Sequence, residues 1–503
     1  MTHIKIVDLP CGWGKSGQIM KNLKKGQKYI VVTPYLSEVQ RFVDGAREYS
    51  GFELAKPIAK KPGKGKLDHI EKLLRAGRSV ATTQTLFYKL GTLAANRLEG
   101  TLHVPEGVEL SGMHLFEQAR AMKFKHVLDD YNLVVDEVIE PFSVEKDVRR
   151  VDFDEDYIAD GLVKVHDTGL VSPTEKWTQK YDNGSKTYSR SLYEKAQSGA
   201  LWKLGDKLFV TTVPIELFTR PKTVTIYTYL SEGSFLLHFL RKLQKDRPEI
   251  TLELSKLPKE REAEWLADVA SSLTIKSIEG LDRQRVRNRD ECVKLNYSAQ
   301  LSGWNNKKTL ARVVKALKHF RYNELKNVDL RTVMLTCVQE RWIKSKSGEM
   351  PKAGSLARGA RMFGRATKTA ESWDEVTGRS VSEWGTTGVQ FVPNKTRGTN
   401  KHSHCNTAMY LYDQNPDPQM LTFLGMDRDS REARDFCDAY ALTELVQWLF
   451  RSAIRKGGIN GTVRKYRPRE PVTLYVPNER MRNLLLNWLA TGEVSKISLQ
   501  EAA

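Results

Sequence analysis

Cysteine is scarce and scattered: Cys11, Cys292, Cys337, Cys405 and Cys437 are the five in 503 residues. An odd number at wide spacing fits neither a disulfide framework nor a four-cysteine zinc site. Reduced thiols in a cytoplasm are the expectation. No run of about 18 apolar residues occurs, and Met1 to Lys5 leads into a strand-like segment rather than a charged head with a long apolar stretch. The chain therefore reads as soluble, with no membrane partner and no secretion. Acid is in deficit, 61 Asp and Glu against 80 Lys and Arg, and the net charge of +19 predicts a polyanionic partner. A repeat of 20 to 50 residues is also lacking, which excludes a solenoid. What is present, 40% hydrophobic and 9% aromatic residues, rules out wholesale disorder and predicts two or three packed domains.

The first forty residues set a β-α-β rhythm: Ile4 to Val7, a glycine-rich turn, a helical stretch from Ser16 to Leu23, then Tyr29 to Val32. Further buried-strand candidates are Ser79 to Thr83, Asn132 to Val135 and Lys207 to Thr211. A second series after Arg220-Pro221 includes Thr223 to Tyr229, Thr332 to Thr336, Val389 to Pro393, Thr407 to Tyr412 and Val472 to Val476. The reading is an α/β protein of two parallel-sheet domains, 1–220 and 221–503. Residues 95–127 and 142–200 break the rhythm as insertions on the first domain. Lys56 to Lys66 and Arg341 to Lys368 read as basic loops, the latter opening a basic insertion over 341–384. Lys344 to Lys368 is expected to be a flexible arm that tracks a nucleic-acid backbone.

After the first strand comes Pro10-Cys11-Gly12-Trp13-Gly14-Lys15-Ser16, then a helix. Glycines let backbone N–H groups turn inward around phosphate oxygens, and the helix N-terminus faces the same anion. Gly12, Trp13, Gly14, Lys15 and Ser16 are thus candidate nucleotide contacts, with Lys15 on the β/γ phosphates and Ser16 on Mg²⁺. The strict phosphate-loop pattern fails at its first position, which is Leu9. The competing reading is an accidental glycine turn. Against it stands Leu133-Val134-Val135-Asp136-Glu137, an apolar strand ending in two acids. Asp136 can hold Mg²⁺ while Glu137 orients and deprotonates the attacking water. A paired-carboxylate glycosidase has no second acid pair in such a context. His402, His404 and Cys405 invite a zinc reading, but no second cluster completes four ligands.

These residues resemble superfamily 2 helicases of the DEAD/DEAH-box-like kind, particularly the helicase-like ATPases of phages and plasmids. Pro10 to Ser16 is similar to motif I, Thr33-Pro34-Tyr35 to motif Ia, Thr82 to Thr85 to the Ib/Ic region, and Asp136 to Ile139 to the DExx box. Thr211 to Pro214 sits where motif III is expected, Arg397-Gly398-Thr399-Asn400 resembles motif V, and Gln447 to Arg455 resembles motif VI. The resemblance implies two tandem RecA-like domains with ATP and Mg²⁺ between them, and single-stranded nucleic acid as partner, DNA before RNA. It implies Gln447, Arg451 and Arg455 as catalytic residues beside Glu137, Asp136 and Lys15. It implies Thr33, Pro34, Thr83, Gln84, Thr399 and Asn400 as nucleic-acid contacts. Phage replication proteins and a host cytoplasm follow from the same resemblance. The arginines are four apart rather than the family's three, and no more than eight residues precede the loop, so adenine preference is not implied. From Tyr440 to Lys456 a helix is expected, presenting Gln447, Arg451 and Arg455 on one face. Two alternatives stay open: an ATPase that remodels protein–DNA complexes without strand separation, and a non-catalytic binding factor with a vestigial loop.

Overall fold

The computed structural model describes residues 2–58, 65–95, 101–103, 123–145, 153–182, 189–205, 208–282, 284–286, 289–291, 293–344, 349–374, 379–398, 400–459 and 467–494. Two parallel sheets organise them. The first comprises β1 (Thr2–Asp8), β2 (Lys28–Thr33), β3 (Val80–Thr83), β4 (Tyr131–Asp136), β5 (Thr223–Thr228) and β6 (Ile250–Lys256), in the order β6-β1-β5-β4-β2-β3. The second comprises β7 (Leu273–Lys276), β8 (Val333–Thr336), β9 (Gln390–Phe391), β10 (Thr407–Tyr410) and β11 (Val472–Tyr475), in the order β7-β11-β10-β8-β9. Every pairing within both sheets is parallel. Strands β2, β4, β8 and β10 are buried almost throughout, as strands covered on both faces require, whereas β1, β5, β6 and β7 alternate buried with more exposed residues. The α/β class with two tandem parallel sheets is thus what the sequence foretold. Among the described residues no helix is long and apolar enough to cross a membrane.

Seven helices matter to the site and its surroundings: α1 (Lys15–Asn22), α2 (Leu36–Ser50), α3 (Lys259–Ser271), α4 (Lys307–Asn323), α5 (Ser355–Ala360), α6 (Arg431–Leu449) and α7 (Glu479–Thr491). Helix α6 ties the two sheets together. Its first half contributes Ala433, Phe436 and Tyr440 to the first sheet's core, and its second half contributes Ala441, Leu442, Leu445, Val446, Trp448 and Leu449 to the second sheet's core. Every residue of α6 from Ala439 to Leu449 is buried, the polar Thr443, Glu444 and Gln447 among them. The turn after β5 meets it so closely that a Cβ on Gly233 would lie 2.2 Å from the Ala439 carbonyl oxygen, so this position requires glycine.

Three expectations need correction. The strand Thr223–Thr228 pairs with β1 and β4, so a division at residue 220 cuts through the first sheet, and Ile250–Lys256 lies there too. The Arg220-Pro221 step interrupts the sequence rhythm without ending the sheet. Second, Thr211 and Thr212 belong to a separate antiparallel sheet formed by Phe142–Val144, Leu201–Leu204 and Leu208–Thr212.

Third, Lys344 to Lys368 is not a flexible arm where it is described; residues 345–348 lie outside the described set. Leu356, Ala357 and Ala360 of α5, with Met362 and Phe363, are buried in a core beneath α4. Apolar residues at helical spacing outweighed the basic composition. We therefore expect Leu356→Ala to cost about 2 to 5 kcal/mol. Chemical denaturation measures it, and a variant within about 0.5 kcal/mol of the parent would place this segment outside the core.

Candidate nucleotide-hydrolysis site

The turn between β1 and α1 is left-handed twice, at Gly12 (φ +82°) and Gly14 (φ +79°), conformations that a side chain would strain. This aims the first-turn amides of α1, which have no intrahelical acceptor, into a cavity of about 230 Å³. Lys15 Nζ donates to the carbonyls of Leu9 (2.8 Å) and Pro10 (3.2 Å), so the ammonium is folded over its own loop. Trp13 borders the cavity, yet its indole is 5% exposed and packed into the second sheet's core. It anchors the loop to the second sheet while remaining part of the cavity wall.

Strand β4 delivers the carboxylates. Ser16 Oγ donates to Asp136 Oδ2 at 2.8 Å, which joins the loop hydroxyl and the strand acid as a shared Mg²⁺ pair would require. Glu137 adopts φ +79°, rare for a side-chain-bearing residue, and is held there by its N–H donating to the Tyr227 carbonyl at 3.2 Å. Burial pushes the Asp136 carboxyl up to about 6, with adjacent Glu137 adding to it. Burial would raise Glu137 as well, but Arg451, then Lys15, Arg397 and Arg455, outweigh it and hold that carboxyl below its ordinary value. The two neighbouring acids are thus driven apart, Asp136 retaining its proton more readily than Glu137.

The arginines arrive by an unexpected path. Helix α6 ends at Leu449; Arg451 lies in the following turn and Arg455 closes a short 3₁₀ turn, Ala453–Arg455, so no single helical face presents them. Arg451 is nonetheless 1% exposed with Nη2 3.6 Å from Glu137 Oε1, and its Nε donates to the Gln447 carbonyl at 3.2 Å. Gln447 itself does not reach the phosphate cavity: its side-chain amide donates to the Tyr229 carbonyl at 3.0 Å. It fastens α6 to the segment after β5. That segment, rather than Thr211 to Pro214, lies beside the phosphate loop, with Ser231 donating through N–H and Oγ to Asp8 at 2.8 and 2.6 Å.

Sequence reasoning missed Arg41 on α2, which lines the same cavity with Nη2 3.9 Å from Asp136 Oδ2. On an amphipathic helix it reads as ordinary surface charge. Lys15, Arg41, Arg451 and Arg455 line the cavity together with the acids Asp136 and Glu137, Arg41 also pairing with Glu38 on its own helix, and burial together with Arg451 lowers the proton affinity of the Arg455 guanidinium. Four cations against two acids in a partly enclosed cavity favour a polyanion. The residues fit a polyphosphate with Mg²⁺, although 230 Å³ leaves a base and ribose outside.

Residues 273–489 match the family of the YonV C-terminal Rossmann-like domain. The match begins at β7 and ends within α7, so it spans the second sheet. The SPbeta prophage-derived uncharacterized protein YonV of Bacillus subtilis (strain 168) is 22% identical over 500 residues, 97% of this chain and 99% of that protein. Among solved structures, one titled Structure of S. tokodaii Xpd4 aligns over 96% of this chain and 93% of its own, with 11% identity and a TM-score of 0.42. A hypothetical ATP-dependent RNA helicase from Sulfolobus tokodaii aligns over 98% and 90%, with 11% identity and a TM-score of 0.22.

The expected nucleic-acid contacts fare unevenly. Thr33 is fully buried, its hydroxyl donating to the Tyr35 carbonyl at 3.2 Å, so Tyr35, 40% exposed, replaces it at the surface. Pro34 meets the second sheet's loop: a Cβ on Gly398 (φ +63°) would lie 3.1 Å from Pro34 Cγ. Thr83 accepts from the Leu86 N–H at 3.4 Å as a helix cap, and Gln84 donates to the Val138 carbonyl at 3.4 Å beside the acid pair. Asn400 is exposed, and Thr399 lies outside the described residues. Arg397 is buried against Glu444, where Glu444, Glu137 and Glu140 overcome the burial that would lower its pKa. His402, His404 and Cys405 form no cluster of three metal-binding groups among the described residues.

Asp136 yields a stability prediction. Its folded-state value of about 6 lies above the ordinary 3.8, so the fold disfavours the charged form. Above pH 6 this costs up to roughly 3 kcal/mol, and the cost fades as pH falls from about 6 toward 4. Asp136→Asn should therefore raise the melting temperature at pH 7.5 without Mg²⁺, with the gain shrinking by pH 5. Equal melting of variant and parent at pH 7.5 would contradict the burial cost.

Proposed function

We propose that the protein hydrolyses ATP with Mg²⁺ at this cavity and uses the cycle to move on single-stranded nucleic acid, DNA before RNA, as a superfamily 2-like helicase or translocase. The observation that carries the reading is the meeting of Arg451, from the second sheet's side, with Glu137 in the cavity that the phosphate loop lines. Lys15 exchanges its two loop carbonyls for phosphate oxygens, and the α1 amides hold the same anion. Mg²⁺, when bound, offsets phosphate charge. Ser16 and Asp136 are the residues that would hold it. Glu137, kept ionised by the surrounding cations, accepts the proton of the attacking water. Arg451 and Arg455 turn from the carboxylate toward the charge that develops in the transition state, and Arg41 adds a further cation on the first sheet's side.

Because α6 belongs to both cores and Gln447 holds the segment after β5, any shift of Arg451 moves one sheet against the other. A role in phage DNA replication or recombination is the reading favoured by the sequence likeness to a prophage-derived protein. The experiment is ATP turnover with and without single-stranded DNA and RNA, beside a strand-displacement assay. Stimulated turnover with displacement supports the helicase; stimulated turnover without it leaves a translocase or remodelling ATPase. No turnover under any of these conditions would refute the reading.

A further inference from the structure

Cation density is uneven along the chain. Between Lys307 and Lys368 there are sixteen Lys and Arg against four Asp and Glu, a surplus of twelve out of the total nineteen. Helix α4 alone carries Lys307, Lys308, Arg312, Lys315, Lys318 and Arg321 and no acid. Its apolar residues Val313, Ala316, Leu317 and Phe320 are buried, which leaves Lys308, Lys315 and Lys318 exposed on the opposite face. None of these three lysines makes an ion pair with a described residue. At 1.5 Å and about 100° per residue they span about 15 Å along the axis and stay within about 80° of one another around it. Helix α5 crosses beside the row, so close that a Cβ on Gly359 would lie 2.7 Å from Val314 Cγ1, and it brings exposed Arg358 and Arg361 alongside.

The row faces away from the nucleotide cavity. Along β8 and β10, Met334, Ala408 and Tyr410 point into the core that receives Trp13, whereas Leu335 and Met409 point into the core under α4 and α5. Residues on alternate faces of one sheet cannot serve one cleft. No account of hydrolysis explains a concentration of like charge there, and like charges at helical spacing repel one another in the absence of an anion.

We propose that the outer face of α4 and α5 is a docking surface for the phosphate backbone of duplex nucleic acid, separate from the cleft. A rigid row of lysines suits a stiff, regular line of phosphates and needs no base contact. Surfaces for single strands add aromatic platforms for the bases; here Tyr322 is the one exposed aromatic of α4, at its end with Arg321 over its ring. Insertion into a lipid surface needs an apolar face, and that of α4 is consumed by the core. The proposal goes beyond the hydrolysis reading and holds whether or not ATP is turned over.

The test is fluorescence anisotropy of a short labelled DNA duplex with the full chain, without nucleotide, over a salt series. In Lys308→Glu/Lys315→Glu/Lys318→Glu, duplex affinity should fall at least about tenfold, and the slope of log affinity against log salt should flatten by about 3. Thermal melting checks the fold, and the corresponding triple Lys→Gln variant gives the same reading, with a smaller affinity loss, if charge reversal disturbs it. Unchanged affinity and slope would overturn the proposal. So would an equal loss for a single strand of the same length, or a loss confined to anionic phosphatidylserine vesicles.

Discussion

Replacing Arg451 with alanine should lower nucleotide turnover by about 10³ to 10⁵ while nucleotide binding persists. The size follows from where the guanidinium acts. It is almost fully buried, 3.6 Å from Glu137, in a cavity where charge–charge interactions are only partly screened. A cation that stabilises charge formed only in the transition state affects the chemical step more than substrate binding. The same substitution removes the strongest of the cations that hold down the Glu137 carboxyl, so its pKa should rise as burial takes over. The acid limb of the residual pH–rate profile should therefore move to higher pH. Arg451→Lys, which keeps a charge but loses the fork, should recover part of the pH shift and little of the rate. Parental turnover in Arg451→Ala would remove the second sheet from the chemistry.

Glu137→Gln should abolish measurable turnover yet retain nucleotide, because an amide keeps the shape of the carboxyl and cannot accept the water's proton. Binding should even tighten, since an acid is removed from a cavity that receives an anion. Lys15→Ala differs in kind: it removes a cation from the phosphate position, so binding and turnover should weaken together. Equilibrium binding of a fluorescent ATP analogue beside a phosphate-release assay separates the two. Turnover retained in Glu137→Gln would end its assignment as base.

What the sequence could disclose depended on whether the determining interactions were local. The phosphate loop was legible because positive-φ glycines, a following lysine and serine, and a strand-to-helix change fall within seven residues. The acid pair was legible because it follows the apolar run Leu133 to Val135. The arginines were suggested by the resemblance to motif VI, and an assumed helix carried them; in the structure the helix ends first and a turn places Arg451. Thr223 to Tyr229 was placed in the second domain because parallel order is decided by pairings 90 or more residues apart, such as Thr223 with Asn132 and with His3. Arg41 was invisible because nothing in α2 itself marks the side chain that meets Asp136. The basic stretch misled through its composition, since five small or apolar side chains there, from Leu356 to Phe363, decide its packing.

The most direct test of a site assembled from both sheets is a double-mutant cycle across the 3.6 Å contact between Arg451 and Glu137. Glu137→Asp, Arg451→Lys and the double variant keep measurable activity, so ATP turnover with Mg²⁺ and saturating single-stranded DNA can be compared in all three. Residues that act as a unit on one step give grossly non-additive losses, so the double variant should be within a few-fold of the slower single variant. Losses that simply multiply would show two independent residues and contradict a shared site.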